Sequence, residues 1–305
     1  MVAPRPCFKS RQETKYFLAG ATMREVTLRH VFGRPAGHRT LDVDFGIAVR
    51  DWEHFQTLKS ALVEQAGFTA QVRVVQRLIY PSTPGVVVDL IPFGRVERAD
   101  RTIAWPPEED IVMRVAGFSD GLESSVLVRL GKDLVVPVVN LPALLVLKLF
   151  AWLDPKQEKR DAADIHTLLK EYGDAGNEDR LYGEAVTILE AEGYDFEIAG
   201  ARLLCRDAAA VISEDTRSRA REILESDRIH NLKQRRRLHN RKPKVVVIND
   251  VVPRHALMAR NGADHVLFSC SEKPVLANVR ISTESIARGT WSPAFHLHFT
   301  LMAYW

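Results

Sequence analysis

The hydrophobic period of this chain changes near residue 141, and that change constrains its fold more than any other feature. Before it, short apolar runs alternate with turn residues, a pattern typical of strands. After it, apolar residues recur every three or four positions, a pattern typical of helices. We therefore predict an α+β fold with an α/β domain over residues 1–140, a helical domain over 141–227 and a basic tail over 228–305.

The same periodicity predicts the individual elements. Strands are expected at 15–20, 41–49, 71–80 and 86–94, and as shorter pieces at 112–118, 124–130 and 134–139. Helices are expected at 22–32, 52–67, 141–153, 160–173, 180–193 and 196–213. The second helix has Asp51 as its expected N-cap and ends at Gly67.

Charge is distributed unevenly along the chain. Residues 228–305 carry 13 basic and 4 acidic side chains, which leaves 29 basic and 35 acidic ones in residues 1–227. The run 228–244 holds 8 basic residues and no acid. Such a run is typical of a solvated segment, and it equally suits an arm that contacts nucleic-acid phosphates. The sequence leaves both interpretations open.

Cysteine usage and hydropathy limit the class of protein. Cys7, Cys205 and Cys270 are widely spaced, which favours neither a disulfide framework nor a zinc site. The N-terminus lacks the apolar core of a secretion signal, and no apolar run reaches the length of a membrane span. We expect a cytoplasmic protein with no membrane partner.

Three aspartates lie on predicted strands. Asp42 and Asp44 are two residues apart, so they point to the same face of their strand, and Asp89 interrupts an otherwise apolar strand. Neighbouring carboxylates repel each other, and a buried aspartate requires a partner. If the two strands are neighbours, the three carboxylates converge and suit Mg²⁺, which prefers oxygen ligands. Two such ions can orient an attacking oxygen and a leaving pyrophosphate.

A turn of small residues precedes the first predicted helix. Such a turn allows backbone N–H groups to approach a phosphate. In chain order the sequence reads Gly20-Ala21-Thr22, Arg39-Thr40-Leu41-Asp42-Val43-Asp44 and Val88-Asp89-Leu90. This order resembles the motifs of the polymerase-beta-type nucleotidyltransferase superfamily. Within it, residues 15–227 are most similar to the AbiEii-type nucleotidyltransferases, known as toxin halves of type IV toxin–antitoxin systems.

The resemblance extends to later helical motifs. Lys148-Leu149-Phe150-Ala151 resembles the family's Lys-x-x-Ala, and Asp161-Ala162-Ala163-Asp164 resembles its Asp-x-x-Asp. The resemblance implies a polymerase-beta-like mixed sheet with flanking helices. It also implies catalytic and Mg²⁺-binding roles for Asp42, Asp44 and Asp89. Implied nucleotide-binding residues are Gly20, Ala21, Thr22, Arg39, Thr40, Lys148, Asp161 and Asp164.

The implied reaction is a Mg²⁺-dependent transfer of a nucleoside monophosphate from an NTP, ATP among them, to a hydroxyl of RNA, such as a tRNA end, or of a protein. An antitoxin partner is also implied. Two positions depart from the family pattern: Ala21 replaces the usual serine, and Pro155 falls where the family has arginine. These departures motivate the alternative of an inactive module that binds nucleotide, RNA or antitoxin.

Several of these residues also have structural interpretations. Lys148 suits a lysine that extends from an apolar helix to solvent, and Asp161 suits the first turn of a helix. Arg24 and Arg39 suit ion pairs as well as phosphate contacts. A further hypothesis makes all three strand aspartates structural.

Overall fold

The computed structural model describes residues 14–37, 40, 42–82, 85–130, 135–154 and 158–226, together with the backbone of 277–279. The element order is α+β, with strands and helices mixed up to residue 138 and helices from Leu141 to Glu225. The predicted domain boundaries at 140 and 227 stay predictions. Apart from the three residues 277–279, the basic tail lies outside the described residues.

The strands form one mixed sheet and one small hairpin. They are β1 (Tyr16–Ala19), β2 (Asp42–Val49), β3 (Thr69–Ala70), β4 (Arg77–Tyr80), β5 (Val86–Gly94), β6 (Thr102–Ala104), β7 (Val112–Arg114), β8 (Val126–Leu130), β9 (Val135–Val138) and β10 (Ala277–Val279). The order in the sheet is β10-β8-β9-β1-β2-β5-β4-β3, and β6 pairs with β7 separately. β2 is antiparallel to β1 and parallel to β5, which is antiparallel to β4.

The helices cover the sheet and form the C-terminal half of the described chain. They are α1 (Gly20–Glu25), which continues as a π-helix (Val26–Val31), α2 (Trp52–Ala66), α3 (Phe118–Glu123), α4 (Leu141–Ala151), α5 (Glu158–Glu171), α6 (Glu178–Tyr182), α7 (Val186–Ala191), α8 (Phe196–Val211) and α9 (Glu214–Glu225). None of the described helices has the length and apolar character that a membrane span requires.

Helix α4 is the central helix of the molecule. It contacts α1, α3, α5 and α8. Asn140 caps its N-terminus by accepting a hydrogen bond from Ala143 N at 2.8 Å. Every residue from Leu141 to Phe150 is buried except Lys148, which explains why this helix is apolar on all sides. One lysine in such a helix requires anionic neighbours, and these lie in the candidate site.

Most of the strongly periodic elements are confirmed. Asp51 caps α2 by accepting from His54 N at 2.7 Å, and Gly67 ends it in the left-handed conformation with φ of 74°. The strand predicted at 71–80 is wrong over its first half, because only residues 77–80 pair with β5. The helix predicted at 180–193 is two short helices, interrupted at Gly183.

Two helices are additions to the prediction. α3 lies in a segment predicted as a strand at its start, and it follows Gly117, whose φ is 82°. α9 has a strongly charged sequence that hides its apolar positions. Asp120 of α3 joins the two helices, since it accepts hydrogen bonds from Ser213 N at 2.7 Å and from the Thr216 hydroxyl at 2.5 Å.

Candidate active site

A row of charged side chains crosses three strands of the sheet. Asp44 on β2 is in register with Asp89 on β5, and Asp89 is in register with Arg77 on β4. Residues in register on paired strands point to the same face of a sheet. Asp42, two residues before Asp44, belongs to that face too. The structure therefore brings the three predicted aspartates to one face at the start of β2.

Asp44 lies in an unfavourable electrostatic environment. Burial raises the pKa of its carboxyl to about 7, and the charges of Asp42 and Asp89 add to this effect. Lys148 and Arg77 act in the opposite direction, since their positive charges favour the ionised form. The two cations lower the pKa of Asp44 by less than burial and repulsion raise it. An added cation near the row would therefore be favourable.

The turn that follows β1 lies directly against Asp44. Ala19 is in register with Asp44, and Gly20 begins α1 with φ of 72°. A Cβ atom at residue 20 would lie 1.8 Å from Asp44 Oδ2 and 2.8 Å from its Cγ. Only glycine permits this approach of backbone to carboxylate, for reasons of both space and φ. The predicted glycine turn and the predicted carboxylates therefore form one site.

Two threonines hold Asp42. The Thr22 hydroxyl donates to the backbone oxygen of Asp42 at 2.5 Å, and the Thr40 hydroxyl donates to Asp42 Oδ1. Both were predicted to contact nucleotide, and both orient the first aspartate in this structure. Ala21 lies between Gly20 and Thr22 and is half-buried. Arg39 lies outside the described residues, as does Pro155.

A second charged cluster, formed by Arg24, Lys148, Asp161 and Asp164, lies between α1, α4 and α5. Lys148 Nζ is 2.9 Å from Asp161 Oδ1 and 2.7 Å from Asp164 Oδ2. Arg24 is fully buried and pairs with Asp164, while its Nε donates to Ala36 O at 2.5 Å. Asp161 and Asp164 are 4% and 1% exposed. The Lys-x-x-Ala and Asp-x-x-Asp motifs thus meet in one buried ion-pair cluster.

Sequence reasoning missed the role of Arg77. Its Nε donates to Asp89 Oδ1 at 2.8 Å and its Nη2 donates to Asp89 Oδ2 at 2.7 Å. A signal was available, because a hairpin closed by the turn at residues 81–85 places residue 77 opposite 89. Arginine and aspartate at those positions predict a cross-strand ion pair.

Asp42 and Asp44 fit a divalent cation. Both are carboxylates on one face, and Asp44 experiences repulsion that a cation would relieve. Asp89 fits less well, because Arg77 already donates to both of its oxygens. In agreement, within the described ranges no three acidic, histidine or cysteine side chains are already gathered as a metal site.

The site therefore combines carboxylates of two neighbouring strands with a glycine turn that lies against one of them. The chain belongs to the family of AbiEii nucleotidyl transferase toxins of type IV toxin–antitoxin systems, whose sequence model matches residues 12–237. Family membership assigns the protein to the nucleotidyl transfer enzymes and implies an antitoxin partner.

A search of curated proteins found no match. Among solved structures, the chain is similar to an antigenic nucleotidyltransferase-like protein from Paracoccidioides brasiliensis, with 16% identity over 58% of this chain and 83% of that one. The TM-score is 0.32.

Proposed function

We propose that this protein transfers a nucleoside monophosphate from an NTP to a hydroxyl group of RNA, such as a tRNA end, or of a protein, and releases pyrophosphate. The reaction class follows from family membership. One observation supports the assignment of its residues: Asp44 and Asp89 are in register on neighbouring strands, and the backbone of Gly20 lies against Asp44. That arrangement gathers carboxylates beside a turn whose N–H groups suit a phosphate.

Asp42 and Asp44 would hold Mg²⁺, and Asp89 would complete the site. Bound Mg²⁺ would neutralise charge on the triphosphate and on the leaving pyrophosphate. Thr22 and Thr40 keep the Asp42 strand in place, so we assign them a supporting role beside the nucleotide. Asp89 would accept the proton of the attacking hydroxyl after Arg77 has released it.

In the proposed reaction the acceptor oxygen forms a bond to the α-phosphorus. The bond from that phosphorus to the bridging oxygen of the β-phosphate breaks, and pyrophosphate leaves with the electron pair. The charge that develops on the leaving group requires nearby donors. The backbone N–H groups of Gly20 to Thr22 would supply donors at the phosphates, and Lys148 would supply positive charge. Arg39, which lies outside the described residues, stays a predicted phosphate contact.

Asp161 and Asp164 would act through Lys148 in this scheme. Both carboxylates contact its ammonium group, and both are buried, so their effect on the nucleotide depends on where they hold Lys148. The family's Asp-x-x-Asp motif is therefore proposed here to position the lysine of the Lys-x-x-Ala motif. Arg24 balances the remaining charge of Asp164.

A second candidate is a module of the same fold that binds nucleotide, RNA or antitoxin without turnover. Specific observations favour it. Ala21 replaces the family's serine, Pro155 replaces its arginine, and Asp89 is already paired with Arg77. Metal-dependent nucleotide binding without pyrophosphate release would distinguish this candidate from the enzyme.

The test combines the full chain with Mg²⁺, bacterial total RNA and each α-labelled NTP in turn. Label in RNA or in protein, separated by nuclease and protease digestion, identifies both nucleotide and acceptor class. Asp42→Ala with Asp44→Ala should lower incorporation by about 10³-fold. Glu108→Ala with Asp110→Ala is the matched control, because these two acids have the same spacing and are exposed. Equal incorporation by both double variants would refute the assignment.

A further inference from the structure

The ion pair between Arg77 and Asp89 occupies the third carboxylate of the row. Each oxygen of Asp89 accepts one hydrogen bond from the guanidinium, at 2.8 and 2.7 Å. Such a bidentate pair is among the stronger hydrogen-bonded contacts of proteins. A divalent cation at Asp42 and Asp44 therefore finds the third ligand engaged, and it gains that ligand only if the pair opens.

The surroundings of Arg77 allow the pair to open. The Arg77 side chain is 30% exposed, whereas the Asp89 side chain is 10% exposed. Arg77 is the first residue of β4, and the residues just before it belong to no strand. The guanidinium can therefore move toward solvent while the carboxylate stays in place.

The charges of the site give a reason for opening. Without a metal, Arg77 offsets the repulsion between Asp89 and Asp44. In the part of the chain that the structure describes, Lys148 contacts Asp161 and Asp164, whereas Arg77 donates its hydrogen bonds to Asp89 of the row itself. A divalent cation at Asp42 and Asp44 offsets two of the three carboxylate charges, and its own positive charge repels the guanidinium. The net attraction that holds Arg77 at the row therefore weakens.

We propose that Arg77 is a positioning residue that holds Asp89 in the metal-free protein and releases it when a divalent cation binds. The proposal rests on the function proposed above, since it requires the cation site at Asp42 and Asp44. Its consequence is that the cation competes with the guanidinium for Asp89. The apparent affinity for the cation is then lower than the intrinsic affinity, because Asp89 is released in only a small fraction of the metal-free protein.

The test is the binding of Mn²⁺ alone to the full chain, measured by calorimetry without nucleotide. Arg77→Met removes the guanidinium and keeps much of its apolar length. It should tighten Mn²⁺ binding by about tenfold. Arg77→Lys keeps the charge and loses the two-pronged contact, so its affinity should lie between those of the wild type and Arg77→Met.

Two control comparisons test whether tighter Mn²⁺ binding by Arg77→Met results from the release of Asp89 or merely from the loss of a positive charge. Arg180, in the helical half, also donates to both oxygens of one carboxylate, that of Asp207, at 2.8 and 3.0 Å, and its side chain is 34% exposed. Arg180→Met should change Mn²⁺ affinity less than twofold. In an Asp89→Asn background, Arg77→Met should lose most of its tightening, because the competed ligand is absent.

The outcomes separate the two proposals. Unchanged or weaker Mn²⁺ binding by Arg77→Met, with a lower Tm, identifies a purely structural pair and overturns this inference alone. Equal tightening with and without Asp89 also overturns it. If Mn²⁺ binding survives Asp42→Ala with Asp44→Ala, or if neither the wild type nor Arg77→Met binds Mn²⁺, the proposed cation site itself fails and the inference falls with it.

Discussion

Two groups of carboxylates lie close together in this molecule, and they differ in how far neighbouring cations balance their charge. The row on the sheet contains Asp42, Asp44 and Asp89, and burial together with mutual repulsion raises the pKa of Asp44 to about 7. The helical cluster contains Asp161 and Asp164, which are buried and paired with two cations, Lys148 and Arg24. The cluster is balanced in charge within the protein, and the row is not.

This difference in charge balance indicates a different role for each group. A balanced buried cluster joins the elements that carry it, here α1, α4 and α5, and its charges are satisfied by one another. An incompletely balanced group retains a capacity for an external cation, at a cost in stability of the metal-free protein. Lys148 belongs to both groups electrostatically, since it contacts the cluster and lowers the pKa of Asp44.

The largest effect on stability is expected from breaking the balanced cluster. Asp164→Ala removes the carboxylate that pairs with the buried Arg24 and one of the two partners of Lys148. Removing one partner of a buried ion pair typically costs about 3–5 kcal/mol. Urea unfolding of the full chain should show this loss in the free energy of unfolding.

Asp174→Ala provides the control for that loss. Asp174 also contacts an arginine, Arg34 at 2.6 Å, but its side chain is 40% exposed. An exposed pair is worth about 0–1 kcal/mol. If Asp164→Ala costs no more than Asp174→Ala, the cluster is not the structural joint that its burial indicates.

A smaller effect, on activity, is expected from Gly20→Ala. The new Cβ would meet the end of the Asp44 side chain at 1.8 Å, so the carboxylate must turn away. A misplaced metal-binding carboxylate should lower nucleotide incorporation by about 10²-fold. The cost in unfolding free energy should stay near 1 kcal/mol, because the clash is with a movable group and the remainder is the φ penalty.

Gly33→Ala separates the two contributions in Gly20→Ala. Gly33 has φ of 67°, close to that of Gly20, and a Cβ there would meet nothing within 4 Å. Gly33→Ala should lose about as much unfolding free energy as Gly20→Ala, and its nucleotide incorporation should equal that of the wild type. Equal activity of the two variants would show that the approach of Gly20 to Asp44 has no catalytic importance.

Local signals were sufficient for much of this fold. Asp51 and Gly67 mark the ends of α2, and the apolar run after Asn140 marks α4, because caps and long periodic segments depend on nearby residues. The sequence identified the aspartates of β2 and β5 but left the adjacency of their strands as a condition, which the β2–β5 pairing meets. Their roles in binding and catalysis stay predictions.

Other features depend on tertiary partners that the local pattern does not reveal. Arg24 was open between a phosphate contact and an ion pair, and its full burial against Asp164 follows from the packing of α1 on α5. Helix α9 depends on its cap, Ser213, and on contacts of Thr216 with Asp120, 96 residues earlier. Such long-range contacts override local propensity.

The smallest effect, on stability, is expected from Asp44→Asn, which removes one negative charge from the unbalanced row. Because the pKa of Asp44 is raised to about 7, the folded protein holds its proton at pH values where the unfolded side chain, near 3.8, has lost it. The stability of the metal-free protein should therefore fall as pH rises from about 4 to about 7. Asp44→Asn removes this contribution and should be more stable than the wild type by about 1–2 kcal/mol at pH 8.

The measurement is urea unfolding of wild type and Asp44→Asn in chelator, at pH 4 and at pH 8. The gain should be much smaller at pH 4, where the folded wild-type carboxyl is neutral and the unfolded one is only partly ionised. Asp110→Asn, at an exposed loop acid, should show no comparable gain at either pH. A gain at pH 4 as large as at pH 8 would mean that asparagine simply packs better there, and the row would then be no less balanced than the helical cluster.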